Sequence, residues 1–149
     1  MLEEFTVIRQ RGNGLAERLS SAHAEAGALA GLPVLQIGMD TPQVSPALLS
    51  DAAWTLTYDG TDAVFGPAVD GGWWGLGLSD SRTASALEGV PMSRPDTGSR
   101  TLAALADRGV VAVQLSELAD VDTAEDVWSV ADQLGERSHF RIAADRYLP

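Results

Sequence analysis

Three separated stretches place aspartates where a carboxylate contributes least to a hydrophobic core. They are "IGMDTPQVSP" with Asp40, "FGPAVDGGWWGLGL" with Asp70, and "LADVDTAEDV" with Asp120 and Asp122. Asp40 and Asp70 each follow a short apolar run, and Asp122 follows a third after a short loop. Carboxylates gathered at one edge repel each other unless a cation joins them. Mg²⁺ and Mn²⁺ prefer oxygen ligands and complete their shells with substrate phosphates. The pattern therefore points to Asp40 and Asp122 as metal ligands, with Asp70 as a third carboxylate that could act as a base.

Each stretch also has a plainer reading. Asp40-Thr41-Pro42 is ordinary turn chemistry. Asp70-Gly71 is a strong hairpin signal between two strand-like runs. The acidic group around Asp122 complements a helix dipole, which makes Asp122 a natural cap, although capping does not require Asp120. The pair Trp73-Trp74 fits two core residues on opposite faces of a strand equally well as one core residue and one platform for a flat ligand such as a sugar. "RGNGLAER" opens a helix with a Gly-x-Gly whose third glycine is replaced by Glu17, a weak dinucleotide-fingerprint signal. Its amides, with Arg11, Gly12 and Arg18, could still cradle a phosphate. A phosphate-loop lysine and a Gly-x-Ser-x-Gly elbow are both absent from the sequence.

The elements that must position these residues alternate in type. Strands are predicted at residues 5–10, 33–38, 62–67, 73–79 and 110–115. Helices are predicted at 14–30, at 45–57 with Ser45 as cap and Pro46 first, at 98–109 closed by Gly109, and at 122–134. The tail, 135–149, reads as a short helix or an ordered arm. This alternation predicts an α/β fold with a mostly parallel sheet covered on both faces. Ligands in such sheets sit outside the carboxyl ends of the strands, where the three aspartate stretches fall.

The chain has 149 residues, enough for one domain spanning 1–149. It has no cysteine and two distant histidines, which removes thiol chemistry and makes a zinc centre improbable. A net charge of −11 disfavours nucleic-acid binding. No apolar run approaches the ~20 residues of a membrane span. "MLEEFTVIRQRG" is acidic and then amphipathic, unlike a secretory signal, so a cytoplasmic location is expected.

Taken together, "QRGNGLAERL", "LQIGMDTPQV", "VFGPAVDGGWWGLGL", "GVPMSRPDTG" and "ADVDTAEDV" resemble, in order and spacing, a bacterial glycosyltransferase-like family of the GT-A, or nucleotide-diphospho-sugar transferase, superfamily. Molybdenum-cofactor and phospholactate guanylyltransferases are more distant relatives. The resemblance implies a three-layer α/β/α sandwich and a transferase using Mg²⁺ or Mn²⁺. It implies a nucleotide-sugar or nucleotide donor and a small-molecule acceptor. Asp40 would bind the ion and diphosphate, Asp122 would supply a second ligand, and Asp70, Gly71 and Gly72 would line the acceptor or sugar side. Gln10, Glu17 and Arg18 match an early helix motif with a positioning role. Trp73-Trp74, with Trp74 taken into the binding set, stands where the family has Tyr-Tyr or Tyr-Phe. The family also begins with a first strand and a Pro-Gly…Lys-Thr-Arg loop that nothing here matches, so the fold is expected to be incomplete at its N-terminus. Nucleotidyl transfer, or a non-catalytic module that self-associates through an exposed sheet edge as a homodimer, are the alternatives.

Overall fold

A computed structural model describes residues 5–57 and 60–148. Residues 1–4 of the segment read as unlike a signal, and Pro149 of the tail, lie outside the described residues.

The first helix, α1 (Leu15–Ala30), ends at Gly31 in a left-handed conformation. Next come strand β1 (Val34–Ile37) and helix α2 (Pro46–Thr57). Ser45 Oγ accepts from the Leu48 amide at 3.2 Å, so the expected cap forms ahead of Pro46. Strands β2 (Ala63–Pro67) and β3 (Trp73–Leu78) follow, joined by the Asp70-Gly71-Gly72 turn. A 3-10 segment, Ser81–Gly89, comes next, and no sequence signal anticipated it. The chain ends with α3 (Thr97–Ala106), β4 (Ala112–Gln114), α4 (Ala124–Gln133) and α5 (His139–Tyr147). The tail is therefore largely helical.

The four strands form one sheet in the order β1-β3-β2-β4. Of its pairings, β1–β3 and β2–β3 are antiparallel and β2–β4 is parallel. The expectation of a mostly parallel sheet is corrected accordingly. The cause is the turn at Asp70: so short a link can only return the chain antiparallel. Because β3 alone is reversed, β1, β2 and β4 run the same way, and their carboxyl ends share one edge of the sheet.

The strand expected at residues 5–10 is also absent. Phe5 and Val7 are exposed there, and the segment has no ladder partner to hold an extended chain.

One face of the sheet presents Ala63, Phe65, Leu76 and Leu78, which pack with Ala84, Ala86 and Leu87 of the 3-10 segment and Leu105 of α3. The face carrying Val64 and Gly77 is met by Leu56 of α2. No helix among the described residues is long and apolar enough to cross a membrane.

Candidate functional site

A cavity of about 470 Å³ opens at the shared carboxyl edge of the strands. Its wall includes Asp40, Asp70 and Asp120, together with Gln36, Gly72, Trp73, Met92 and Arg94. Three short connections explain how distant aspartates reach it. After β1 the Gly38 amide donates to the Trp74 carbonyl at 2.7 Å, and Asp40 follows immediately. After β4 the chain keeps running beside the end of β2. There the Leu118 amide donates to Pro67 O at 3.1 Å and the Val69 amide to Leu118 O at 3.0 Å. This extension carries Asp120 alongside Asp70. Finally, the Val121 amide donates to Asp40 O at 3.0 Å, and Gln43 Nε2 donates to Ala119 O at 3.0 Å.

The electrostatics agree with this convergence. The Asp120 carboxyl is pushed up to about 6 by burial first, then by repulsion from Asp70, Asp40 and Asp122 and by a hydrogen bond with Asp70. Among the described residues no three acidic or histidine side chains are grouped as a ready-made metal cage. The arrangement instead suits an ion held by one or two carboxylates, the remaining positions going to water and phosphate oxygens.

Asp70 has a local duty as well. Its Oδ1 accepts from the Gly72 amide at 2.7 Å, which closes the turn. Gly71, at φ +87°, lies under Pro95, whose carbonyl a Cβ would overlap. Gly71 O in turn accepts from the Gly98 amide at 2.8 Å, tying the turn to the start of α3. Gly71 faces the far side of this turn, while Gly72 reaches both sides.

The two tryptophans divide their roles. Trp74 is buried, its Nε1 donating to Ser116 O at 2.9 Å, and its ring lies over Gly66 where no Cβ could fit. Its inclusion in the binding set is therefore corrected: the ring belongs to the core. Trp73 is half-buried and lines the cavity. A register shift between Gly66 and Pro67 accompanies this divergence.

Asp122 stands outside the cavity wall but adds its charge to Asp120. It does not cap α4. Thr123 does, in a capping box with Asp126, because its hydroxyl reaches the N3 amide. Arg11, Gly12 and Arg18 are exposed and absent from the wall, whereas Gln10, Leu15 and Leu19 of the same stretch line it. Glu17 Oε2 accepts from the Asn13 amide at 2.8 Å and so occupies an amide that a phosphate would need. The residues missed as site members are Asp120 and Arg94. Asp120 carried a signal, since a cap has no use for it. Arg94 carried none.

The family model described as "Uncharacterized protein conserved in bacteria (DUF2064)" matches residues 1–94. Comparison with curated proteins gave no match. Among solved structures, the chain is similar to a crystal structure, at 1.90 Å resolution, described as a "putative nucleotide-diphospho-sugar transferase" from Desulfovibrio desulfuricans G20. The two are 25% identical with a TM-score of 0.78 over 92% of this chain. This chain spans 62% of the length of that one.

Proposed function

The chain belongs to the DUF2064 family of uncharacterized bacterial proteins, and from that premise we propose that it works as a metal-dependent transferase taking a sugar from a nucleotide-diphospho-sugar donor. We place it on a GT-A-type α/β/α sandwich. The observation that carries this reading is the meeting of Asp40, Asp70 and Asp120 in one cavity beside Trp73, at the carboxyl edge of three strands that run the same way. The likeness to the nucleotide-diphospho-sugar transferase structure supports it.

The donor set fits Mg²⁺ or Mn²⁺, since its groups are hard oxygens, and burial followed by their mutual repulsion raises Asp120. Asp40 would hold the ion from the wall, and Asp122 would add negative charge behind it. When bound, the ion supplies Lewis-acid neutralisation of the departing diphosphate. Asp70 lines the same wall as Asp120 and is placed to receive the acceptor's hydroxyl proton. The hydroxyl oxygen bonds to the anomeric carbon as the bond from that carbon to the diphosphate oxygen breaks, and the electron pair leaves with the nucleoside diphosphate. Trp73 offers the sugar a flat apolar face.

The test is thermal stability with Mn²⁺ and a panel of UDP- and GDP-sugars, GTP and CTP. A nucleotide sugar at about 100 times its Kd stabilises by ~2.7 kcal/mol. Release of nucleoside diphosphate supports sugar transfer. Release of pyrophosphate would replace it with nucleotidyl transfer, and no shift with any ligand would contradict both.

A further inference from the structure

We propose that Arg94 forms an anion subsite in the cavity, so that the acceptor carries a phosphate or carboxylate group. This rests on the transferase reading for the word acceptor, but the subsite itself does not.

Arg94 is the one cationic side chain among the described residues of the cavity wall, which it shares with Asp40, Asp70 and Asp120. Its guanidinium is only partly engaged by the protein, through one ion pair with Asp96. The Nε lies 3.3 Å from Asp96 Oδ1, yet that buried oxygen receives no hydrogen bond, and Asp96 takes its strong contact from Arg100 at 2.6 Å. The side chain remains 59% exposed, with its planar donor fork available for paired oxygens.

The backbone beneath it is fixed. The Arg94 amide donates to Thr97 Oγ1 at 3.0 Å, and that hydroxyl donates to Pro91 O at 3.0 Å. Ser93, at φ +57°, is held in a region that residues other than glycine seldom adopt. Pro95 sits on Gly71, and the Gly98 amide bonds Gly71 O. Arg94 is thus tied to the turn that bears Asp70, whereas Asp40 arrives from β1. An acceptor whose hydroxyl reaches Asp70 therefore lies in a cavity whose wall also carries Arg94. An acidic cavity repels anions unless one cation is set aside for them, and a fixed arginine fills that role.

The test follows the arginine Nε–Hε resonances of ¹⁵N-labelled protein, without metal, while inorganic phosphate or acetate is added against chloride at constant ionic strength. The Arg94 resonance should shift saturably with phosphate, acetate or both, and the amides of Gly72, Trp73 and Thr97 should shift with it. The responding anion identifies the acceptor's group. Arg94→Gln should weaken the response of those amides about tenfold or more. If that variant does not fold, the wild-type pattern alone decides, since shifts spread over other arginines overturn the subsite. Absence of saturation with both anions, or unchanged binding by Arg94→Gln, also overturns it. Mn²⁺ binding is measured separately. Loss of the metal with retained anion binding contradicts the transferase reading alone, and the reverse contradicts the subsite alone.

Discussion

The Val121 amide donates to the Asp40 carbonyl at 3.0 Å, which stitches the loop after β1 to the loop before α4 and sets Asp40 and Asp120 into the same cavity wall. Two backbone segments about eighty residues apart thus hold like charges together without a hydrogen bond between those carboxylates. Burial and the neighbouring charges raise Asp120 from its ordinary value of 3.8 to about 6. A carboxyl raised in the folded state binds its proton more tightly there than in the unfolded chain. Its effect is absent below about pH 4 and becomes a growing penalty as pH rises through about 6. Asp120→Asn should therefore raise the metal-free stability at pH 7.5 by about 1 kcal/mol, after allowance for its solvent exposure, and leave it unchanged near pH 3.5. Urea unfolding at the two pH values checks this.

His23 acts with the opposite sign. It is buried on α1, and burial lowers its pKa from 6.5 to about 4 despite contacts with Gln36 and the Val34 backbone. The unfolded chain then binds the extra proton between about pH 6.5 and 4. Stability is full above that window and falls as pH drops through it, by about 3 kcal/mol at most. His23→Leu should flatten this acid-side loss in urea titrations between pH 7 and 4, with the Asp120 effect running the other way in both proteins.

The tryptophans should separate stability from binding. Trp74→Phe removes the donor to the part-buried Ser116 carbonyl, a cost of about 1 kcal/mol in unfolding experiments. Trp73→Ala should weaken nucleotide-sugar binding, read as a smaller ligand-induced thermal shift.

Gly71→Ala combines a positive φ with overlap of the Pro95 carbonyl. It should destabilise by roughly 2 kcal/mol or more, and Trp73 fluorescence should change as the turn moves. Gly135→Ala, where an added Cβ meets open space, serves as the control.

Local chemistry made much of the fold legible. Ser45-Pro46 started α2 as expected, and Gly109, at φ +75°, follows α3. The polarity of β3 was legible too, since Asp70-Gly71-Gly72 permits only a hairpin, but the alternation of strands and helices outweighed it. Phe5 and Val7 alternate like a strand, and alternation cannot reveal that a ladder partner is missing. The aspartate stretches were visible because a carboxylate after an apolar run has no packing role. Which aspartates line the cavity depended on the pairing of residues 115–118 with β2, a long-range contact that no local pattern encodes. The same holds for Trp73 and Trp74, whose faces follow from a register shift.

The central claim is that these carboxylates receive a divalent ion, and electron paramagnetic resonance of Mn²⁺ titrated into the protein tests it most directly. The account predicts one saturable site whose affinity falls about tenfold or more in Asp40→Asn, while Gly135→Ala binds like the wild type. Free Mn²⁺ signal undiminished by the wild-type protein, or equal binding by Asp40→Asn, would contradict it.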